Sequence, residues 1–109
     1  MTHISVYRTK EGIYRGLTCI GHAGYAHAGE DIVCAAISVL VINTGNSLEQ
    51  LAGVIPEAVI NEEEGLMDLR WVADGNEKMQ LLMDSLILGL TGIMKQYGKT
   101  YIDLAFKEV

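Results

Sequence analysis

The feature that most constrains the fold is a run of apolar residues at helical spacing between Ile32 and about Leu51. Val33, Ala36, Ile37, Leu40, Val41, Thr44, Leu48 and Leu51 recur so as to share one side of a single helix, and Gly53 with Pro56 closes it. A helix with so apolar a side must be covered by the rest of the chain. Residues 2–8 alternate through Ile4 and Val6, and residues 12–20 carry Ile13, Leu17 and Cys19 on one face. With Glu11-Gly12 between them, these segments predict a β-hairpin. Residues 57–63 and 66–72 predict a second hairpin that carries Val59, Ile60, Leu66, Leu69 and Trp71 and turns through Glu62-Glu63-Glu64-Gly65. Asp74 to Glu77 has the spacing of a capping box. Met79, Leu82, Met83, Leu86, Leu90 and Met94 follow as the inner stripe of a second helix. Gly89 and Gly92 inside it each cost about 1 kcal/mol relative to Ala, which implies close packing against the sheet or a partner subunit. A last strand spans 101–106.

The order ββαββαβ predicts an α+β two-layer sandwich, with about five mainly antiparallel strands and two helices on one face. The other face or an edge is left to solvent or to a second subunit, and the sequence shows no charged pattern protecting it. At 109 residues the chain reads as one domain, 1–109, without a linker, repeat or low-complexity tract.

A net charge of −6 argues against nucleic acid as a direct partner, since phosphates demand clustered Lys and Arg. Attraction to a basic peptide is easier to argue, although a solvated acidic surface explains the same charge. The sequence near Met1 lacks a signal pattern. The apolar run from Ile32 to Ile42 is broken by Ser38, and as a helix it spans only ~16 Å of a ~30 Å bilayer core. The expectation is a soluble, cytoplasmic protein with no membrane partner. Two cysteines, Cys19 and Cys34, make no disulfide framework.

The chemistry concentrates between Gly21 and Ser38. Gly21, Gly24 and Gly29 punctuate a loop that must bend or move, and Asp31 has the character of an N-cap ahead of the apolar helix. Cys34 is then expected on the first turn, among unpaired N–H groups at the positive end of the helix dipole, where a thiolate is favoured. Those N–H groups also suit an oxyanion hole. His22 is the nearest base, upstream across the loop. Ser38 lies one turn after Cys34 and shares its face. Asp31 either caps the helix or orients the histidine, and the sequence leaves both roles open.

The string Gly21-His22-Ala23-Gly24-Tyr25-Ala26, then Gly29, Asp31-Ile32-Val33-Cys34-Ala35-Ala36 and Ser38, resembles the signature of the ribosomal-processing cysteine proteases, the Prp family. Length and element order are similar across essentially the whole chain. The resemblance implies a cysteine endopeptidase that removes the N-terminal extension of bacterial large-subunit ribosomal protein twenty-seven. It implies Cys34 as nucleophile, His22 as general base and Asp31 and Ser38 in support. It also implies a homodimer, and substrates with apolar and aromatic residues before the cleaved bond. No cofactor follows from it, and it assigns no role to His27.

Blander readings stand beside these. A cysteine in an apolar helix is usually an inert small hydrophobe, and that reading is kept for Cys19, which has nothing reactive beside it in sequence. His22, His27 and Cys34 as metal ligands match none of the common zinc spacings and lack a fourth ligand, so no metal is expected. Tyr25 reads equally as a lid residue over substrate or as an ordinary loop aromatic. Met79, Met83 and Met94 are expected as core filler. The alternatives to a protease are a non-catalytic ribosome-associated peptide-binding protein and a different thiol enzyme using Cys34 with Cys19.

Overall fold

The computed structural model describes residues 1–21 and 28–109, with residues 28–31 as backbone only. The elements run β1 (Thr2–Arg8), β2 (Tyr14–Ile20), α1 (Ala28–Ala52), β3 (Glu57–Asn61), β4 (Leu66–Arg70), α2 (Glu77–Tyr97) and β5 (Ile102–Glu108). The expected order ββαββαβ is therefore the one found. Among the described residues five strands form one sheet in the order β3-β4-β2-β1-β5. β1–β2, β2–β4 and β3–β4 pair antiparallel, and β5 joins β1 in parallel.

Register decides which side chains meet the helices, because alternate residues of a strand face opposite sides of the sheet. Ile4 lies opposite Cys19 and Val6 opposite Leu17. Leu17 lies opposite Leu69 and Cys19 opposite Met67. Met67 in turn lies opposite Ile60. The inner face is thus a set of apolar rows crossing the sheet. Ile4, Val6, Leu17 and Leu69 are buried there in one core with Val33, Ile37, Val41 and Leu48 of α1 and Met79, Met83, Leu86 and Leu90 of α2.

The outer face carries the polar network that the linear pattern did not reveal. Arg70 Nε donates to Asp68 Oδ1 at 2.7 Å, and its guanidinium stacks 3.7 Å over the Tyr7 ring. Thr18 Oγ1 donates to Tyr7 Oη at 3.2 Å. These residues come from β1, β2 and β4, so their partnership exists only after pairing.

The helices differ from expectation in instructive ways. The capping residue of α2 is Asn76, whose Oδ1 accepts from Met79 N–H at 3.0 Å, while Asp74 instead pairs with Arg15 at 2.7 Å. Asn76 Nδ2 also donates to the Ala52 carbonyl at 2.9 Å, tying the start of α2 to the end of α1. That second bond is what makes Asn76 the better cap. The packing expected at Gly89 is against α1: a Cβ there would lie 3.1 Å from Leu40 Cδ1, whereas one at Gly92 would meet nothing within 4 Å. Leu51, placed on the inner stripe by spacing, is 63% exposed near the end of α1. The apolar stretch of α1 also runs on to Ala52, so Ile32–Ala52 is long and apolar enough by composition to cross a bilayer, longer than the run read from sequence. One side of that stretch is committed to the core through Val33, Ile37, Val41 and Leu48.

Candidate active site

α1 begins at Ala28, so Asp31 is the fourth residue of the helix, not its N-cap, and Cys34 lies on the second turn. The expectation of a thiol on the first turn is corrected accordingly. Ala28, at the observed start, is of the strongest helix-forming type. The unpaired N–H groups of the helix belong to residues 28–31, one turn ahead of Cys34. They are therefore not centred on the thiol in the manner the oxyanion reading required.

Cys34 is half-buried, and Ser38, one turn on, is exposed. Both line a groove of about 470 Å³ between α1 and the β3–β4 hairpin. The wall is α1, with Cys34, Ser38, Val41 and Ile42; the floor is one row of the sheet, Cys19, Met67 and Ile60. Asn61, Glu62 and Gly65 of the hairpin turn form the rim. A second hollow of about 210 Å³ shares Val41, Ile42, Ile60 and Met67 and continues toward Gly45, Ala58 and Pro56. The two make one apolar trough with Cys34 at one end.

Gly21 also lines the groove. Its φ is 106°, its N–H donates to the Gly65 carbonyl at 3.2 Å, and a Cβ would collide with the Met1 carbonyl oxygen. Only glycine meets those conditions together, so the end of β2 is pinned against the hairpin turn. His22 follows it directly in the chain. His22, Gly24, Tyr25 and His27 lie outside the described residues, as do the side chains of 28–31 including Asp31.

Sequence reasoning set Cys19 aside, yet the fold places it in the same groove as Cys34. Burial pushes its thiol up to about 11, and negative charge on Cys34 adds to the shift. Cys19 therefore stays protonated at neutral pH and is the poorer nucleophile of the two. A signal existed: Cys19 shares its strand face with Leu17, so it had to point inward. What the sequence withheld was that α1 crosses that row beside Cys34.

A model of the family described as "Cysteine protease Prp" matches residues 1–103. The chain belongs to that family. Over 81 residues it is 32% identical to the ribosomal processing cysteine protease Prp of Bacillus subtilis (strain 168), covering 71% of this chain and 72% of the relative. The crystal structure of the Prp protease from S. aureus in complex with a substrate peptide superposes with a TM-score of 0.89 at 25% identity, covering 98% of this chain and 100% of that one. A second structure of the S. aureus protease, with a covalently linked product peptide, gives 0.86 at 26% identity, again covering 98% and 100%. Membership of the Prp family makes this chain a cysteine protease and decides against the non-catalytic peptide binder.

Proposed function

We propose that this protein is a cysteine endopeptidase that removes the N-terminal extension of large-subunit ribosomal protein twenty-seven, with Cys34 as nucleophile and His22 as general base. The observation that carries the reading is the position of Cys34 at one end of an apolar trough, beside the exposed strand β3.

His22 takes the Cys34 proton, and the thiolate sulfur attacks the scissile carbonyl carbon. The tetrahedral intermediate collapses as His22 returns that proton to the leaving amine, which leaves a thioester on Cys34. Water then attacks with His22 again as base, and the thiol is regenerated. Ser38, on the same helix face as Cys34 and in the same groove, supports the nucleophile or the bound peptide. Asp31, which is not the N-cap of a helix that begins at Ala28, is assigned to the support of His22.

β3 pairs with β4 on one side. Its other side suits an extended substrate that adds as a strand and sets apolar side chains on Ile60, Met67 and Ile42. Glu62 at the rim and the net charge of −6 favour a basic peptide. A cytoplasmic setting fits two free thiols, Cys19 and Cys34. A homodimer completes the proposal, and exposed Val39 on α1 with Leu81 and Leu88 on α2 offers apolar surface for it.

The test is incubation of the protein, and of Cys34→Ala and His22→Ala, with the extended ribosomal protein from the same organism, followed by intact mass. Loss of a short N-terminal peptide with the parent and with neither variant is expected. A folded, reduced parent that leaves the substrate intact would refute this substrate, and cleavage by Cys34→Ala would refute the nucleophile.

A further inference from the structure

We propose that Cys19 and Cys34 form an oxidation-sensitive pair that closes a disulfide across the groove when the protein meets a peroxide, silencing the nucleophile reversibly. Two independent placements carry this. Cys19 is set into the groove floor by strand parity, with Ile4 opposite it on β1 and Met67 opposite it on β4. Cys34 enters the same groove from the second turn of α1, so the two sulfurs share one cavity instead of lying on separate faces. Their mutual influence agrees: charge on Cys34 adds to the upward shift of the Cys19 thiol.

The asymmetry between the thiols sets the order of events. Cys19 is held protonated by burial, so Cys34 meets the oxidant first. The Cys34 sulfur attacks one peroxide oxygen, the O–O bond breaks, and the departing oxygen leaves as water after taking up the thiol proton. The product is a sulfenic acid on Cys34. The Cys19 sulfur then attacks the Cys34 sulfur, the S–O bond breaks, and the hydroxyl departs as a second water with the Cys19 proton. Two thiols have lost two electrons, and one peroxide has become two waters.

Bonding requires the two Cβ atoms to come within about 4 Å. Cys19 is paired on both sides in the middle of the sheet and cannot travel, so the closing movement belongs to the first turns of α1. The disulfide would spare Cys34 from irreversible sulfinic and sulfonic acids. The pairing itself is read by mass and alkylation and needs no substrate; only its effect on catalysis rests on the proposed peptidase function.

The experiment treats the reduced protein with a several-fold molar excess of hydrogen peroxide, then measures intact mass and counts, in denaturant, the thiols that iodoacetamide can alkylate. The parent is expected to lose two hydrogen atoms as a monomer, lose both alkylatable thiols and recover them with dithiothreitol. Cys19→Ser and Cys19→Ala are expected to gain oxygen atoms on Cys34 instead, with loss of cleavage that dithiothreitol does not restore. A parent that gains oxygen on Cys34 while Cys19 stays alkylatable would overturn the proposal. So would a disulfide-linked dimer in place of the internal bond. Both are read on the parent protein, so the conclusion does not depend on either variant folding.

Discussion

Gly21→Ala tests how the end of β2 is held directly ahead of His22, the proposed general base. At Gly21 φ is 106°, and an added methyl group would run into the Met1 carbonyl oxygen. A non-glycine residue at such a φ costs about 1–3 kcal/mol. Forcing a methyl group into occupied space costs about another 1–3 kcal/mol. The expected loss is therefore about 2–6 kcal/mol, a large part of the roughly 5–15 kcal/mol that stabilises a domain. Gly12 supplies an internal control, because its φ is 89° but a Cβ there meets nothing within 4 Å. Gly12→Ala should thus pay the backbone term alone, and the entropy that alanine removes from the unfolded chain is common to both variants. In urea titrations with a slope of about 2 kcal/mol/M, a 4 kcal/mol loss lowers the midpoint by about 2 M. The Gly21 variant should fall well below the Gly12 variant. Equal midpoints would refute the argument that contact with the Met1 carbonyl, and not merely a left-handed backbone, makes glycine obligatory at Gly21.

Other outcomes follow from the packing and the ionisation. Leu48→Ala, at a position with no exposed surface, should cost about 3 kcal/mol, whereas Leu51→Ala on the same helix should change denaturation by less than about 0.5 kcal/mol. Asn76→Ala removes the bond to Met79 N–H and the tie to the Ala52 carbonyl, and should cost about 1–2 kcal/mol in the same titrations. The Tyr14 hydroxyl, buried and donating to Asp84 at 2.6 Å, is pushed from 10.0 up to about 12. Because the folded value is the raised one, its contribution is fully present below pH 10 and disappears as pH rises through about 12. Tyr14→Phe should flatten that part of the stability profile, and an unchanged slope between those limits would contradict the assignment.

Much of the architecture is legible in the residues. Two helical stripes and alternating strands predict ββαββαβ, and most of the inner positions they name are buried. Helix starts were less legible. Asp31 looks like a cap, yet α1 extends back to Ala28, whose residue type favours a helix. Asp74 looks like a cap as well, but Arg15 from β2 pairs with it and Asn76 finds a second bond on α1. Local chemistry nominates caps, and partners from distant strands and helices choose among them.

The candidate site divides the same way. Cys34 stands out from sequence because it follows a glycine-punctuated histidine loop near the start of an apolar helix. The trough it opens into could not be read there, since Ile60, Met67 and Cys19 become one floor only when β2, β3 and β4 pair in register. By itself the sequence determined the elements, their order and the faces they bury, because side-chain periodicity is a local property of the chain. Only the tertiary structure decided that Cys19 shares a groove with Cys34 and that Gly21 is wedged against Met1, because both depend on contacts between segments far apart in sequence.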